Sequence, residues 1–135
     1  MTLRHKSREF ALQMLFEWDM ARKKPASVES HFWKSARAAE ETRNFANQLF
    51  EGAVSHVDNA DKLVAELSEN WRLDRLAAID RNILRLAIYE FSSGTAPAKV
   101  VIDEALELAK KFSSEEAPAF LNGVLDAAGK KLDAF

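Results

Sequence analysis

The stretch from Arg75 to Phe91 carries apolar side chains around most of a helical circumference: Leu76, Ile79, Ile83, Leu84, Leu86, Ala87 and Phe91. At about 100° per residue so wide an arc leaves little of the helix for water, which predicts a central helix enclosed by other elements. Those elements read as helices too. Near the N-terminus Ala11, Leu12, Met14, Leu15, Phe16 and Trp18 share one broad face opposed by Glu9, Gln13 and Glu17. Arg4 and Arg8 extend that stripe, so their side chains are expected to emerge where the core gives out. Pro25 breaks the pattern, and Ser27 offers an N-cap to a short helix with Val28, Phe32 and Ala36. Phe45, Leu49, Ala53 and Val57 recur at spacing four, and Asp58 can cap a segment that turns Ala60, Leu63, Val64 and Leu67 inward. After Ser92-Ser93-Gly94, a sixth helix buries Val101, Ile102, Ala105, Leu108, Ala109 and Phe112, with Asp103, Glu107, Lys110 and Lys111 facing water. Ser113 to Glu116 reads as a capping box for a last helix that tolerates Pro118 in its opening turn. Four Gly and three Pro in 135 residues leave few turns for a strand-rich fold. The expected class is all-α: about seven helices in one compact domain over 1–135, with a possible seam at Asp58 or at the connection holding Trp71 and Leu73.

Several function classes fall away. No apolar run approaches the roughly 18 residues of a spanning helix. The N-terminus lacks the apolar stretch of a signal peptide, and the absence of Cys suits a reducing compartment, so a cytoplasmic location is expected. His5, His31 and His56 lie in separate segments without metal-ligand spacing, so no metal site is expected. Ser55-His56-Val57-Asp58 holds the residue types of a hydrolytic triad, but neighbours along a helix point apart, whereas triads assemble from separate segments. No catalytic residue and no cofactor are assigned. The net charge of −2 means that any nucleic-acid role needs a local basic patch, a partner, or both.

Three groups remain as candidates. Arg4, His5, Lys6 and Arg8 could bind phosphates; the alternative is a solvated, frayed terminus. Phe120-Leu121-Asn122-Gly123 places an aromatic and an amide beside a helical glycine that costs about 1 kcal/mol relative to Ala. That glycine signals either tight helix packing or close approach of a ligand. Asp80 and Glu90 share the apolar arc of the fifth helix, where a carboxylate needs a partner. Lys99, Arg81 and Arg85 are the candidates for a cap or salt bridge, and the other reading puts one carboxylate at a protein interface. Glu90 is expected to be structural.

Three phrases in fixed order, Ile83 to Glu90, Ile102 to Phe112 and Phe120 to Asp126, together with Ala11-Leu12-Gln13-Met14-Leu15-Phe16, resemble the NusB family of transcription antitermination factors. The helical plan is similar over essentially the whole chain, with motif-level similarity in Lys6 to Phe16 and Ile79 to Asp126. The resemblance implies a bundle of two helical subdomains, here about 1–70 and 71–135. It also implies binding to boxA RNA of nascent ribosomal RNA transcripts together with NusE, a small-subunit ribosomal protein, in a complex that joins RNA polymerase and suppresses premature termination. Carried over residue by residue, RNA contacts fall to Arg4, Lys6, Arg8 and Phe120, while His5 and Asn122 join the expected RNA-binding residues on their own side-chain chemistry. The NusE-facing surface includes Asp80 and Glu116. The basic motif departs from the family's denser arginine run: His5 and Lys6 occupy its middle and Ser7 replaces a small apolar residue. Lysine offers a point charge where arginine offers a bidentate fork.

Two rivals stand beside this reading. One is a protein–protein helical adaptor without RNA contact. The other is the RNA-targeting domain of a ribosomal-RNA cytosine methyltransferase, whose N-terminal domain resembles NusB. A chain without Cys that ends at Phe135 is expected not to be that complete enzyme.

Overall fold

The computed structural model of the chain describes residues 3–68 and 76–135. They form α1 (Leu3–Ala21), α2 (Pro25–Ser35), α3 (Glu40–Ser55), α4 (Val57–Leu67), α5 (Ala78–Ser93), α6 (Ala98–Phe112) and α7 (Ala117–Lys131), with no strand among them. The wide-arc helix is central: α5 packs on α1, α3, α4, α6 and α7. Its Ile83 and Leu84 are fully enclosed, and one continuous core joins them to Leu12, Met14 and Leu15 of α1, Leu49 and Phe50 of α3, Leu108 of α6 and Leu121 and Leu125 of α7. No helix among the described residues is long and apolar enough to cross a membrane. Trp71, Leu73, Arg75 and the divide expected near residue 70 lie outside the described residues.

Local chemistry sets the helix ends. Gly94 stops α5 at φ 71°, a left-handed cap that L side chains rarely adopt. The helical pattern breaks before Pro25 as expected, and Pro25 itself opens α2, with Lys24 rather than Ser27 as N-cap; a first-turn proline lacks only an N–H that the helix would leave unpaired. The capping box expected at Ser113 to Glu116 does not form. The Ser113 hydroxyl instead donates to Asp80 Oδ1 at 2.5 Å, and Glu116 makes no side-chain cap bond.

Two departures on α1 reshape the site. Glu9, expected to face water, is 1% exposed, whereas Phe16, expected in the core, is 37% exposed. The helix is enclosed by α2, α3 and α5, and α6 reaches its remaining flank through Lys111 and Glu104, so the wet sector shifts towards Gln13, Phe16 and Met20. Polar ties then fix α1 to α5. Asp19 meets Arg81 at 2.5 Å and Arg85 at 3.2 Å, and Arg85 also holds Asp61 of α4 through two 2.8 Å bonds. Burial pushes the Asp19 carboxyl up, but the two guanidinium groups outweigh it and hold it below the usual carboxylate range.

Candidate nucleic-acid interface

The cations at the start of α1 divide by helix angle. Arg8 shares the stripe of Ala11, Leu12 and Leu15 and is 2% exposed. Its Nε and Nη2 donate to the two carboxylate oxygens of Glu90 at 2.9 and 2.8 Å, a bidentate pair sealed inside the bundle. Burial disfavours the guanidinium charge, yet the Glu90 hydrogen bonds and charge more than compensate, so its pKa rises above the ordinary value. Arg8, expected at the RNA surface, is therefore a buried positioning residue. Glu90 is structural as expected, but its partner is Arg8 rather than Lys99, Arg81 or Arg85.

Arg4 lies one turn earlier on the same stripe, beyond the core, and is exposed. Its guanidinium sits 4.4 Å over the Phe45 ring and donates to the Thr95 carbonyl at 3.0 Å. The Thr95 hydroxyl donates to Glu90 Oε1 at 2.7 Å, so the buried pair indirectly fixes where the outer arginine stands.

His5 is also drawn inward. It is half-buried, with Nε2 3.0 Å from Glu9 and Nδ1 on Glu104 of α6. Two carboxylates on one imidazole leave it poorly placed for a phosphate. Around Glu9 the charges nonetheless build a basic surface: Lys111 Nζ donates to both its oxygens at 2.9 and 3.1 Å, and Lys6 Nζ reaches it at 3.5 Å. Burial raises the Glu9 pKa, but Lys111, then Lys6 and His5, bring it below the usual range. The side chains of Lys6 and Lys111 are 45% and 51% exposed, each within reach of an aromatic ring: Lys6 5.0 Å over Phe10, Lys111 5.4 Å over Phe112. Lys111 had read only as a water-facing residue; its pairing across to α1 has no signal in its own segment.

Of the C-terminal candidates, Asp80, Glu116 and Phe120 come together. A hollow of about 190 Å³ is lined by Leu76, Ala77, Asp80, Ser114, Glu116, Ala117 and Phe120. The Phe120 ring is half-buried, so it is neither a full core residue nor a free platform. Asn122 and Gly123 are exposed, and a Cβ at Gly123 would meet nothing within 4 Å. The tight-packing reading of that glycine is thereby excluded: it leaves open backbone on the outer face of α7. The end of α6 bridges the two regions, because Lys111 grips Glu9 of α1 while Ser113 grips Asp80 of α5.

Residues 5–130 match the NusB family profile. The transcription antitermination protein NusB of Koribacter versatilis is 48% identical over 97% of this chain and 91% of its own, and that of Solibacter usitatus 44% identical over 98% and 92%. Among solved structures, Thermotoga maritima NusB superposes with a TM-score of 0.85 at 30% identity, covering 95% of this chain and 91% of its own. A structure of the antitermination factors NusB and NusE in complex with double-stranded RNA gives 0.87 at 27% identity, over 97% and 98%. With near-complete coverage in both sequence and fold, this chain belongs to the NusB family of transcription antitermination proteins.

Proposed function

We propose that this protein is an RNA-binding antitermination factor that, with NusE, binds boxA RNA of nascent ribosomal RNA transcripts and modifies RNA polymerase against premature termination. The observation that carries this reading is the company kept by Phe120. Its ring shares one hollow with the carboxylates of Asp80 and Glu116. A phosphate backbone approaching alone meets two negative charges there, whereas a partner bringing cations to those carboxylates leaves the ring edge open to a base. The basic stretch at Lys6 and Lys111, with Arg4 at the helix end, then holds phosphates. Asn122 offers an amide to a base edge, and Gly123 lets the strand close on the helix.

A two-component surface suits a chain of net charge −2, because each weak half gains from the effective concentration supplied by the other. The NusB–NusE–RNA structural neighbour supports the same composition.

Fluorescence anisotropy with a boxA-like RNA, with and without NusE, over a salt series tests the proposal. Affinity should be low for the protein alone and rise markedly with NusE. Asp80→Asn with Glu116→Gln should strengthen RNA binding alone while weakening NusE binding. Equal RNA affinity with and without NusE would overturn the composite surface.

A further inference from the structure

The basic and aromatic surface at the start of α1 does not stop at Lys6. Phe10, under the Lys6 ammonium, packs edge-to-face against Phe32 and Trp33 of α2, with ring centroids 5.7 and 5.2 Å away. Beyond Trp33 lies a hollow of about 450 Å³ between α2 and α3, lined by Ala26, Glu29, Ser30, Trp33, Lys34, Arg43 and Asn47.

Its chemistry is that of a nucleotide site. Arg43, exposed on α3, lies 5.2 Å from the Trp33 ring centroid, making a cation–aromatic pair. Lys34 adds a second exposed cation at the rim. The Asn47 carbonyl oxygen accepts Trp33 Nε1–H at 2.8 Å, leaving the amide NH2 as a donor. Within the same lining, Glu29 Oε2 is buried without a hydrogen-bond partner among the described residues. Burial, then the hydrogen bond and charge of the neighbouring Glu51 carboxyl, pushes Glu29 up to about 8.

We propose that this α2–α3 hollow is a second single-stranded RNA subsite, taking one nucleotide that flanks the segment held at Lys6 and Phe120, its base stacked on the Arg43–Trp33 pair and its phosphates at Lys34 and Arg43. The inference rests on the RNA-binding reading above.

The test compares a boxA-like core RNA with the same RNA extended at its 5′ or 3′ end, each with NusE present. One extension should raise wild-type affinity about tenfold, the order expected for one stacked base. Arg43→Ala with Lys34→Ala, both exposed positions, should abolish that gain and leave core-RNA affinity unchanged. The inference is overturned if neither extension adds affinity, if the gain survives the double substitution, or if the double substitution weakens core binding equally. Weaker NusE binding without RNA would assign the hollow to protein and overturn it as well. Absence of core-RNA binding by wild type would sink the boxA reading instead. The hollow is then judged directly: a short oligouridylate should shift the Trp33 indole N–H resonance, identified with Trp33→Phe, and no shift overturns the subsite.

Discussion

The first turns of α1 and of α7 carry the two halves of the expected RNA site, and the fold treats them in opposite ways. At α1 much of the charge is absorbed: Arg8 is sealed against Glu90, and His5 lies between Glu9 and Glu104. At α7 only Ala117 and Leu121 turn fully inward in these turns, while Asn122 and Gly123 stay in the open and Phe120 half emerges. A dense run of cations is therefore a poor measure of surface charge. Residues four apart on one stripe, such as Arg4 and Arg8, have different fates depending on whether the core extends beneath them.

The largest effect expected from that contrast is on folding. Arg8→Ala leaves Glu90 buried without its cation and should cost about 3–5 kcal/mol, read from denaturant midpoints. Arg4→Ala should fall near the small values typical of exposed positions. Glu90→Gln in the Arg8→Ala background should recover part of the loss by removing the stranded charge. Equal midpoints for Arg8→Ala and Arg4→Ala would erase the distinction between the two arginines. Acid should probe the same region. Glu9 and Asp19 have folded-state pKa values below their ordinary 4.5 and 3.8, so their stabilisation is present above those values and disappears as pH falls through the lower folded ones. Thermal midpoints should therefore decline below about pH 4.5, and a flat profile from there to strong acid would contradict the ion-pair account.

At α7 the balance should tilt towards binding. Phe120→Ala is expected to lower RNA affinity in the presence of NusE by about 1–3 kcal/mol, the worth of one stacked base. Its folding cost should stay below the roughly 3–5 kcal/mol of a fully enclosed Phe, since the ring lines a surface hollow. Stability lost with affinity per folded molecule unchanged would remove Phe120 from the site. Next in size, Gly123→Ala should stabilise the helix by up to about 1 kcal/mol, because nothing lies within 4 Å of the added methyl. If a strand closes on that backbone, RNA affinity should fall even as the melting temperature rises. Affinity unchanged in the stabilised variant would show that the strand passes elsewhere.

Most of the fold was legible because its signals are local and periodic. The wide arc of α5, the Gly94 stop and the inward faces of α4 and α6 all follow from residue spacing. The site was legible by halves. Glu90 could be marked as a carboxylate needing a partner, but Arg8, its mate, sits in a helix remote in sequence, and only tertiary packing brings them to 2.8 Å. The same holds for Glu9. It faces away from the apolar stripe of its own helix, so its burial depends on α6 arriving with Lys111. Ser113 misled for a related reason: a hydroxyl placed to cap α7 found the Asp80 carboxylate instead. The Arg43–Trp33 hollow left no trace in either helix alone, since its two members meet only where α2 and α3 pack.

The smallest stability effects belong to the cations that stay outside, and they sharpen the contrast most. Arg4→Ala and Lys6→Ala should each move the denaturation midpoint by no more than about 0.5 kcal/mol, because both are exposed and Glu9 keeps Lys111 at 2.9 Å when Lys6 is gone. Their signature is the salt dependence of RNA binding instead. Removing a cation that holds one phosphate should reduce the slope of log affinity against log salt by about 0.7 for a single strand. Lys111→Ala should reduce the slope similarly but also destabilise the fold, since buried Glu9 then keeps only Lys6 at 3.5 Å and His5 at 3.0 Å. Arg8→Ala, measured per folded molecule, should reduce the slope only as far as Arg4 is displaced through Thr95 and Glu90. A full drop of about 0.7 on removing Arg8, with Arg4 still in place, would return the buried arginine to the RNA surface and refute the division drawn from its 2% exposure.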